Sequence, residues 1–293
     1  MSTLNHHHHP HILAMPNFIE NPDALKRFAM DHGFGGIDWS MDDSRLPATP
    51  VEESAWAGMQ KTFAPLEIRY HCPFSKVDIG HEDTDIRKKS MLLFKRIIRL
   101  VSKAGGKYLT IHVGLGHDTT TILSWESTIA NLRDLVHFGG EHGITICLEN
   151  LAWGWTSRPN LFEKLVRRSV VSVTVDIGHA HACESVKCQQ FSVKDFISPH
   201  PAKVMNAHLY HTEIPGVGHV PPARYEDIAG RLELLGRSAC TWWVIEIREE
   251  TGLLATQPFV ERFLSQDSGL LRGGSTDICR WTEEGQDILQ TNF

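Results

Sequence analysis

The sequence lacks any apolar run long enough to cross a membrane. No apolar stretch within its 293 residues approaches the ~18 residues that a membrane-spanning helix requires. The N-terminus also lacks a basic segment followed by an apolar core, so no secretory signal is visible. We therefore expect a cytoplasmic protein that does not contact membranes.

Paired cysteines are missing as well. The six cysteines are scattered singly, and no CxxC spacing occurs even between the closest two, Cys183 and Cys188. This scatter argues against a disulfide framework. We expect reduced, mostly buried thiols.

Positive charge is not in excess, because 29 lysines and arginines oppose 35 acidic residues and leave a net charge of −6. This balance gives no reason to expect a nucleic-acid surface. Histidine is the abundant residue, with 18 copies. Part of that number is the run NHHHHPH at 5–11, which we interpret as a tag remnant or a solvated arm and exclude from the site.

Short β-branched runs alternate with longer amphipathic stretches along the chain. The strand candidates are residues 11–16, 35–40, 66–71, 107–113, 144–150, 171–177, 203–210 and 241–247. The helical patterns cover 21–33, 86–106, 124–143, 159–168, 223–236 and 256–265. The third of these helices has Ser124 as its predicted N-cap.

Strands that alternate with helices predict a parallel sheet with helical crossovers. Closed on itself, the sheet is a single (β/α)8 TIM barrel, which we place at residues 1–267. Residues 268–293 are then a C-terminal extension. An open doubly wound sheet is the alternative, but it often carries a glycine-rich phosphate turn after its first strand, and 16–22 is not one.

Side-chain alternation predicts which strand residues enter the barrel. In the sixth strand, Val173 and Val175 share the apolar, helix-facing side, so Thr174 and Asp176 point inward. The same parity places six residues inside the barrel, each at or near the end of its strand: His71, His112, Glu149, Asp176, His208 and Glu246. Catalytic residues of this architecture lie at that C-terminal mouth.

The three inward carboxylates repel one another, which pushes at least one towards its neutral form unless a divalent cation is bound. We therefore predict that Asp176, in VTVDIGHAH, is a metal ligand. His179 is expected to face whatever the metal holds, whereas His181 is by default a loop histidine.

Six short motifs occur in order from the second strand to the eighth. They are GGID (35–38), IHVG (111–114), LEN (148–150), DIGH (176–179), AHL (207–209) and VIEI (244–247). Over roughly residues 10–265 the chain thus resembles the xylose-isomerase-like barrel superfamily, which includes sugar epimerases, inosose dehydratase-type enzymes and endonuclease IV. At Asp38 the family more often has glutamate.

The resemblance implies one divalent metal, which can be Mn, Co, Mg or Zn. Its implied ligands are Glu149, Asp176, His208 and Glu246, with His211 in reserve for the seventh strand. The implied activity is that of an isomerase or epimerase acting on a small carbohydrate or a related polyol or keto acid. In such an enzyme the metal stabilises an enediolate, while Glu149 and Glu246 carry the proton.

Further side chains are expected to contact the carbohydrate. The predicted substrate-binding residues are His71, His112, His179, His211, His219 and Trp155. Trp153 and Trp155 either stack on a sugar or anchor their loop as buried tryptophans. Arg248 either holds a phosphate or carboxylate of the substrate or forms a surface ion pair.

The same superfamily contains a three-zinc version that cleaves abasic DNA. That version has histidines at the ends of the third and fourth strands and in the loop after the seventh. This chain has His71, His112 and His219 at the matching places. Val217 stands where that version has an aspartate, so the third zinc loses a ligand unless Glu213 replaces it. A third possibility is a barrel that binds metal and a small ligand without catalysis. The sequence leaves the oligomeric state open, a homo-oligomer included.

Overall fold

The computed structural model describes residues 11–116 and 120–270, with side chains as far as residue 266. Most of the histidine run at 5–11 and nearly all of the predicted extension at 268–293 therefore lie outside the described residues. Within the described residues, no helix is long and apolar enough to cross a bilayer.

The described residues contain ten strands. They are β1 (Ile12–Pro16), β2 (Gly36–Ser40), β3 (Glu67–Cys72), β4 (Tyr108–Ile111), β5 (Thr145–Glu149), β6 (Ser172–Asp176), β7 (Val204–Leu209), β8 (Thr212–Ile214), β9 (Gly218–Val220) and β10 (Trp242–Ile245). Eight of these close a parallel barrel in the order β1, β2, β3, β4, β5, β6, β7, β10. The predicted single (β/α)8 barrel is confirmed.

The helices surround this barrel. They are α1 (Pro22–Asp31), α2 (Pro50–Lys61), α3 (Thr84–Ala104), α4 (Trp125–Glu141), α5 (Pro159–Ser169), α6 (Ile177–Ala182), α7 (Glu184–Lys187), α8 (Lys194–Ile197), α9 (Ala229–Gly236) and α10 (Glu250–Leu270). Ser124 caps α4 as predicted, because its side chain accepts the backbone N–H of Ser127 at 3.3 Å.

Helix α2 was not expected from the apolar pattern, since Ala57 and Gln60 are its buried residues. Its start is instead determined by local polar contacts. Thr49 and Glu52 form a reciprocal capping box, and Pro50 stands at the first helical position. A helix with so narrow a buried face gives little periodic signal.

The hairpin β8–β9 lies outside the barrel and was also not predicted. Its strands pair antiparallel, with Glu213 opposite His219. The positive backbone φ angles of Gly216 (78°) and Gly218 (92°) suit glycine and allow the tight return. The hairpin follows β7 directly, so it stands at the C-terminal mouth of the barrel.

Polar side chains and one tryptophan fill the lower barrel. The guanidinium of Arg69 lies 3.8 Å from the ring centroid of Tyr108 and 4.6 Å from that of Trp242. It also donates a hydrogen bond of 2.6 Å to Oδ1 of Asn206. The Thr174 hydroxyl, 3.1 Å from the same amide, extends this network upward. These contacts close the floor below the mouth.

The described cysteines are all free. Four of them are buried, and Cys188 is exposed: the buried ones are Cys72, Cys147, Cys183 and Cys240. This agrees with the expected reduced, mostly buried thiols.

Gly36 provides a test of how tightly the floor is packed. A Cβ atom there would lie 2.2 Å from the Trp242 ring and 2.9 Å from the Glu67 backbone oxygen. Gly36→Ala is therefore expected to lower the free energy of unfolding by about 1–3 kcal/mol, measured by urea denaturation. Gly58→Ala is the control, because Gly58 lies in α2 with open space around it and alanine should stabilise the helix by about 0.5–1 kcal/mol. Equal effects of the two substitutions would contradict the packing argument.

Candidate metal centre

Four predicted ligands meet at the barrel mouth. Glu149 and Asp176 are the last residues of β5 and β6, His208 lies near the end of β7, and Glu246 directly follows β10. One ligand atom from each lies within 4.8 Å of those of the other three, and all four residues are buried. Consecutive strands of a parallel barrel end at the same face, which explains why residues so distant in sequence converge.

His208 lies between two carboxylates. Its Nδ1 is 3.1 Å from Oε1 of Glu149 and 3.0 Å from Oε2 of Glu246. Burial alone lowers the pKa of His208, but the two carboxylates outweigh burial and raise it well above the usual value. Conversely, burial raises the pKa of Glu149, but the imidazoles of His208 and its neighbours hold it well below the usual range. The same two opposing effects lower the pKa of Glu246.

Asp176 is held on both of its oxygens. Oδ1 accepts the backbone N–H of His179 at 2.7 Å, and Oδ2 accepts the hydroxyl of Tyr210 at 2.9 Å. Burial raises the pKa of Asp176 to about 6, against the effect of the nearby His179. Burial, to which the charges of Glu149 and Glu246 add, thus raises the pKa of Asp176 while the pKa values of those two glutamates fall.

Two further histidines face the second oxygen of Glu149. His112 Nε2 lies 3.1 Å and His71 Nε2 lies 3.3 Å from Oε2 of Glu149. The two imidazole Nε2 atoms are 3.4 Å apart. Glu149 therefore has one oxygen towards His208 and the other towards this histidine pair, and the three residues form a second group with metal-ligand spacing.

A third group forms on the side of the hairpin. Ligand atoms of Asp176, His179 and His219 lie within 4.8 Å of one another. Glu213 of β8 adds a carboxylate, whose Oε2 is 2.8 Å from Nε2 of His179 and 3.3 Å from Nε2 of His219. These contacts lower the pKa of Glu213 to about 2, against the effect of burial. The hairpin thus places the carboxylate of Glu213 against the imidazoles of His179 and His219.

The unpaired atoms of the mouth suit a cation. Two buried carboxylate oxygens of the four predicted ligands have no hydrogen bond within the described residues, Oε2 of Glu149 and Oε2 of Glu246. On the side of Asp38, its two oxygens, Nδ1 of His71 and Nε2 of His208 also lack one. Buried polar atoms are costly unless they are paired, and an ion supplies the missing partner. Three carboxylates and one imidazole are ligands that Mg, Mn, Co and Zn accept. We call the four ligands the quartet: Glu149, Asp176, His208 and Glu246. The quartet therefore fits a divalent cation.

The match to known families agrees with this geometry. Residues 27–251 match the family model described as xylose isomerase-like TIM barrel, which covers more than half of the chain. The chain belongs to this family. An uncharacterized protein of Methanocaldococcus jannaschii is 27% identical over 197 residues, which span 67% of this chain and 80% of that protein.

Solved structures of the xylose isomerase-like TIM barrel fold superpose on the chain at low identity. A D-tagatose 3-epimerase-like protein has a TM-score of 0.67 and 14% identity, over 89% of this chain and 99% of its own. Endonuclease IV from Thermus thermophilus has a TM-score of 0.60 and 14% identity, over 87% of this chain and 99% of its own. At such identities these structures show the shared fold.

The pocket of this family member lies over the quartet and has a volume of about 460 Å³. Four of the predicted substrate-binding residues line it: His71, His112, His179 and His219. Trp153 also lines the pocket, and its indole N–H donates to the backbone oxygen of Gly114 at 3.3 Å. Arg248 stands at the pocket wall and donates to the Ser40 hydroxyl at 2.9 Å.

Two predicted site residues are not brought to this pocket. The imidazole of His211 lies beside His181, and its Nδ1 is 3.2 Å from a guanidinium nitrogen of Arg231, so it faces away from the quartet. His208 alone represents β7 in the quartet. Trp155 packs edge to face on Trp125, with ring centroids 5.1 Å apart, which is the loop-anchoring alternative.

Three residues of the mouth had no role assigned from sequence. Asp38 lies beside His71, and its inward parity in β2 was a signal that could have found it. Asn150 exchanges hydrogen bonds of 2.8 and 2.9 Å with the backbone of Asp176 and thereby ties β5 to β6. Tyr210 packs parallel to His219 at a centroid distance of 3.9 Å. No local sequence pattern indicates the last two contacts.

The histidines near the hairpin predict the pH dependence of stability. Burial lowers the pKa of His179 and His219, but the surrounding carboxylates outweigh it and raise the two values to about 9 and about 10. Between about pH 6.5 and 9 the folded chelator-treated protein thus binds more protons than the unfolded chain. We expect its free energy of unfolding, from urea titrations, to fall as the pH rises through this window. His219→Gln should reduce the slope; a stability that rises with pH would contradict the assignment.

Proposed function

We propose that this protein is a divalent-metal-dependent isomerase or epimerase of a small carbohydrate. The observation that carries the proposal is the buried quartet at the base of a pocket of about 460 Å³. This volume lies within the range of small-molecule sites. Among the described residues that line the pocket, Arg248 is the one lysine or arginine, which favours a hydroxylated ligand over a polyanion.

Glu149, Asp176, His208 and Glu246 would hold a divalent cation, which would supply a Lewis acid for a substrate carbonyl. Glu149 and Glu246 both line the pocket and come from β5 and the end of β10. The lowered pKa of each keeps it ionised at neutral pH, so each can accept a proton from the carbon next to the carbonyl. Inversion of that carbon would require the other glutamate to take up a proton from solvent and donate it to the opposite face, while the first glutamate keeps the proton that it accepted.

The histidines of the pocket suit a polyhydroxylated ligand. His112 lines the pocket, is less than 7% exposed, and its ring can exchange a hydrogen bond with a substrate hydroxyl. His179 also lines the pocket, but its ring nitrogens already contact the Asn150 carbonyl and the Glu213 carboxylate. Membership in a family whose fold is shared with a D-tagatose 3-epimerase-like protein supports the same substrate class. These contacts bear on the substrate class and leave open which sugar is bound.

The proposal is tested by proton exchange. Protein loaded with Mn, Co, Mg or Zn is incubated in D₂O with ketoses, inososes and keto acids, and deuterium uptake next to the carbonyl is followed by NMR. Glu246→Gln is expected to slow the exchange by about 10²- to 10⁴-fold, because the amide cannot accept the proton. Glu226→Gln, on the exposed surface, is the matched control. A metal-loaded protein that exchanges none of these substrates would contradict the isomerase proposal.

Hydrolysis of a phosphodiester is the second candidate, and the position of Glu213 favours it. Four groups with metal-ligand spacing lie side by side among the described residues. The quartet, the His71–His112–Glu149 group and the Asp176–His179–His219 group are the three that a three-zinc site would use, and the fourth is Asp38–His71–His208. Glu213 adds a carboxylate to the Asp176–His179–His219 group. Three zincs there would activate water and stabilise charge on the phosphate. The net charge of −6 argues against a DNA substrate.

Metal stoichiometry separates the two candidates. Elemental analysis of the protein without residues 1–10 is expected to find about one divalent metal per chain for the isomerase. Close to three zincs, reduced by one in Glu213→Ala, together with cleavage of an abasic-site oligonucleotide, would establish the second candidate instead. Protein that binds metal but neither exchanges protons nor cleaves DNA would leave a ligand-binding barrel. Absence of metal after soaking would contradict all three.

A further inference from the structure

Asp38 is a buried carboxylate without a hydrogen-bonded partner within the described residues. It lies in β2 on the inward face, is 0% exposed, and neither of its oxygens accepts a hydrogen bond from that part of the chain. A carboxylate in such surroundings is strongly disfavoured unless positive charge or polarised N–H groups stand close to it. The groups that surround Asp38 therefore indicate what it does.

Two imidazoles separate Asp38 from the carboxylates of the proposed metal site. His71 Nδ1 lies 3.3 Å and His208 Nε2 lies 3.9 Å from Oδ2 of Asp38. The opposite nitrogens face Glu149: His71 Nε2 is 3.3 Å from its Oε2, and His208 Nδ1 is 3.1 Å from its Oε1. Each ring thus has one nitrogen towards Asp38 and the other towards Glu149.

We propose that Asp38 is a positioning residue, which keeps a proton on Nδ1 of His71 and on Nε2 of His208. A neutral imidazole carries its proton on one nitrogen and its lone pair on the other. With Asp38 on one side of the two rings, their lone pairs face Glu149. The proposed function requires a ligand there from His208, and His71 stands beside the same carboxylate. The inference rests on that function, because it concerns how the rings present themselves to a bound cation.

The position of Asp38 in β2 suits this role. Its carboxylate approaches two rings whose centroids are 5.1 Å apart, from a strand neighbouring that of His71. Oε1 of Glu246 also lies 3.6 Å from Nδ1 of His71, so an N–H of His71 directed at Asp38 leaves this oxygen of Glu246 free of that donor. The carboxylate that orients the histidines, Asp38, is thus a different one from the carboxylates that are proposed to bind the metal.

Manganese affinity of the full-length protein tests the proposal. Dissociation constants for Mn²⁺ are measured by the EPR signal of the free ion. Asp38→Asn keeps the shape but removes the charge and one acceptor, and it is expected to weaken binding by about 10- to 100-fold. Asp38→Glu keeps the carboxylate and is expected to bind Mn²⁺ more tightly than Asp38→Asn. Asp31→Asn, an exposed aspartate in α1, is the control and should bind as the parent does.

The histidine tautomers provide a readout that a merely structural role would not move. In ¹⁵N-histidine NMR of the parent protein loaded with zinc, we expect protons on Nδ1 of His71 and on Nε2 of His208. The signals are assigned with His71→Asn and His208→Asn. A zinc on Nδ1 of His208 imposes the expected tautomer on that ring by itself, so His71 is the informative residue. A proton on Nε2 of His71 would overturn the proposal even if Asp38→Asn does not fold.

The outcomes for the two proposals are distinguishable. A folded Asp38→Asn that binds Mn²⁺ as tightly as the parent would overturn the role of Asp38 and leave the isomerase proposal intact. A parent protein that binds no Mn²⁺ would overturn both. Weaker binding in Asp38→Asn together with the expected tautomers would support the role of Asp38, whether or not a carbohydrate substrate has been found.

Discussion

Buried negative charge at the mouth of the barrel is the constraint on which the rest of this structure depends. Glu149, Asp176 and Glu246 are each no more than 3% exposed, and Asp38 lies among them. So many carboxylates in a desolvated space are stable only when cations or imidazolium groups compensate them. The chain supplies histidines from several strands for this purpose. Their attraction to the carboxylates raises the pKa of His208 and lowers that of Glu149.

The barrel brings these groups together through regular strand geometry, without left-handed backbone conformations in the strands that carry them. Each strand contributes inward side chains at alternate positions, and the parallel closure brings the strand ends to one face. Below them, Arg69 between Tyr108 and Trp242 fills the interior and closes the floor. The polar groups at the mouth are therefore confined, with the pocket as their access to solvent.

The strand pattern was enough to predict the fold and most of the mouth. Asp176, Glu149 and His208 were placed inward by parity and do converge there, because alternation is a local property of extended chain. Parity could have found Asp38 in the same way. The same holds for Tyr210, which shares the parity of His208 within the predicted strand 203–210. Parity could not find helix α2, whose narrow buried face leaves almost no periodic signal.

By itself, therefore, the sequence determined the (β/α)8 architecture, the family and which side chains enter the barrel, since these follow from hydrophobic period and order along the chain. Only the tertiary structure decided that His211 faces Arg231 rather than the quartet, and that Trp155 packs on Trp125. It also decided that a hairpin places Glu213 between His179 and His219. Those contacts join segments far apart in sequence or outside regular strands, where no period relates a residue to the face that it occupies.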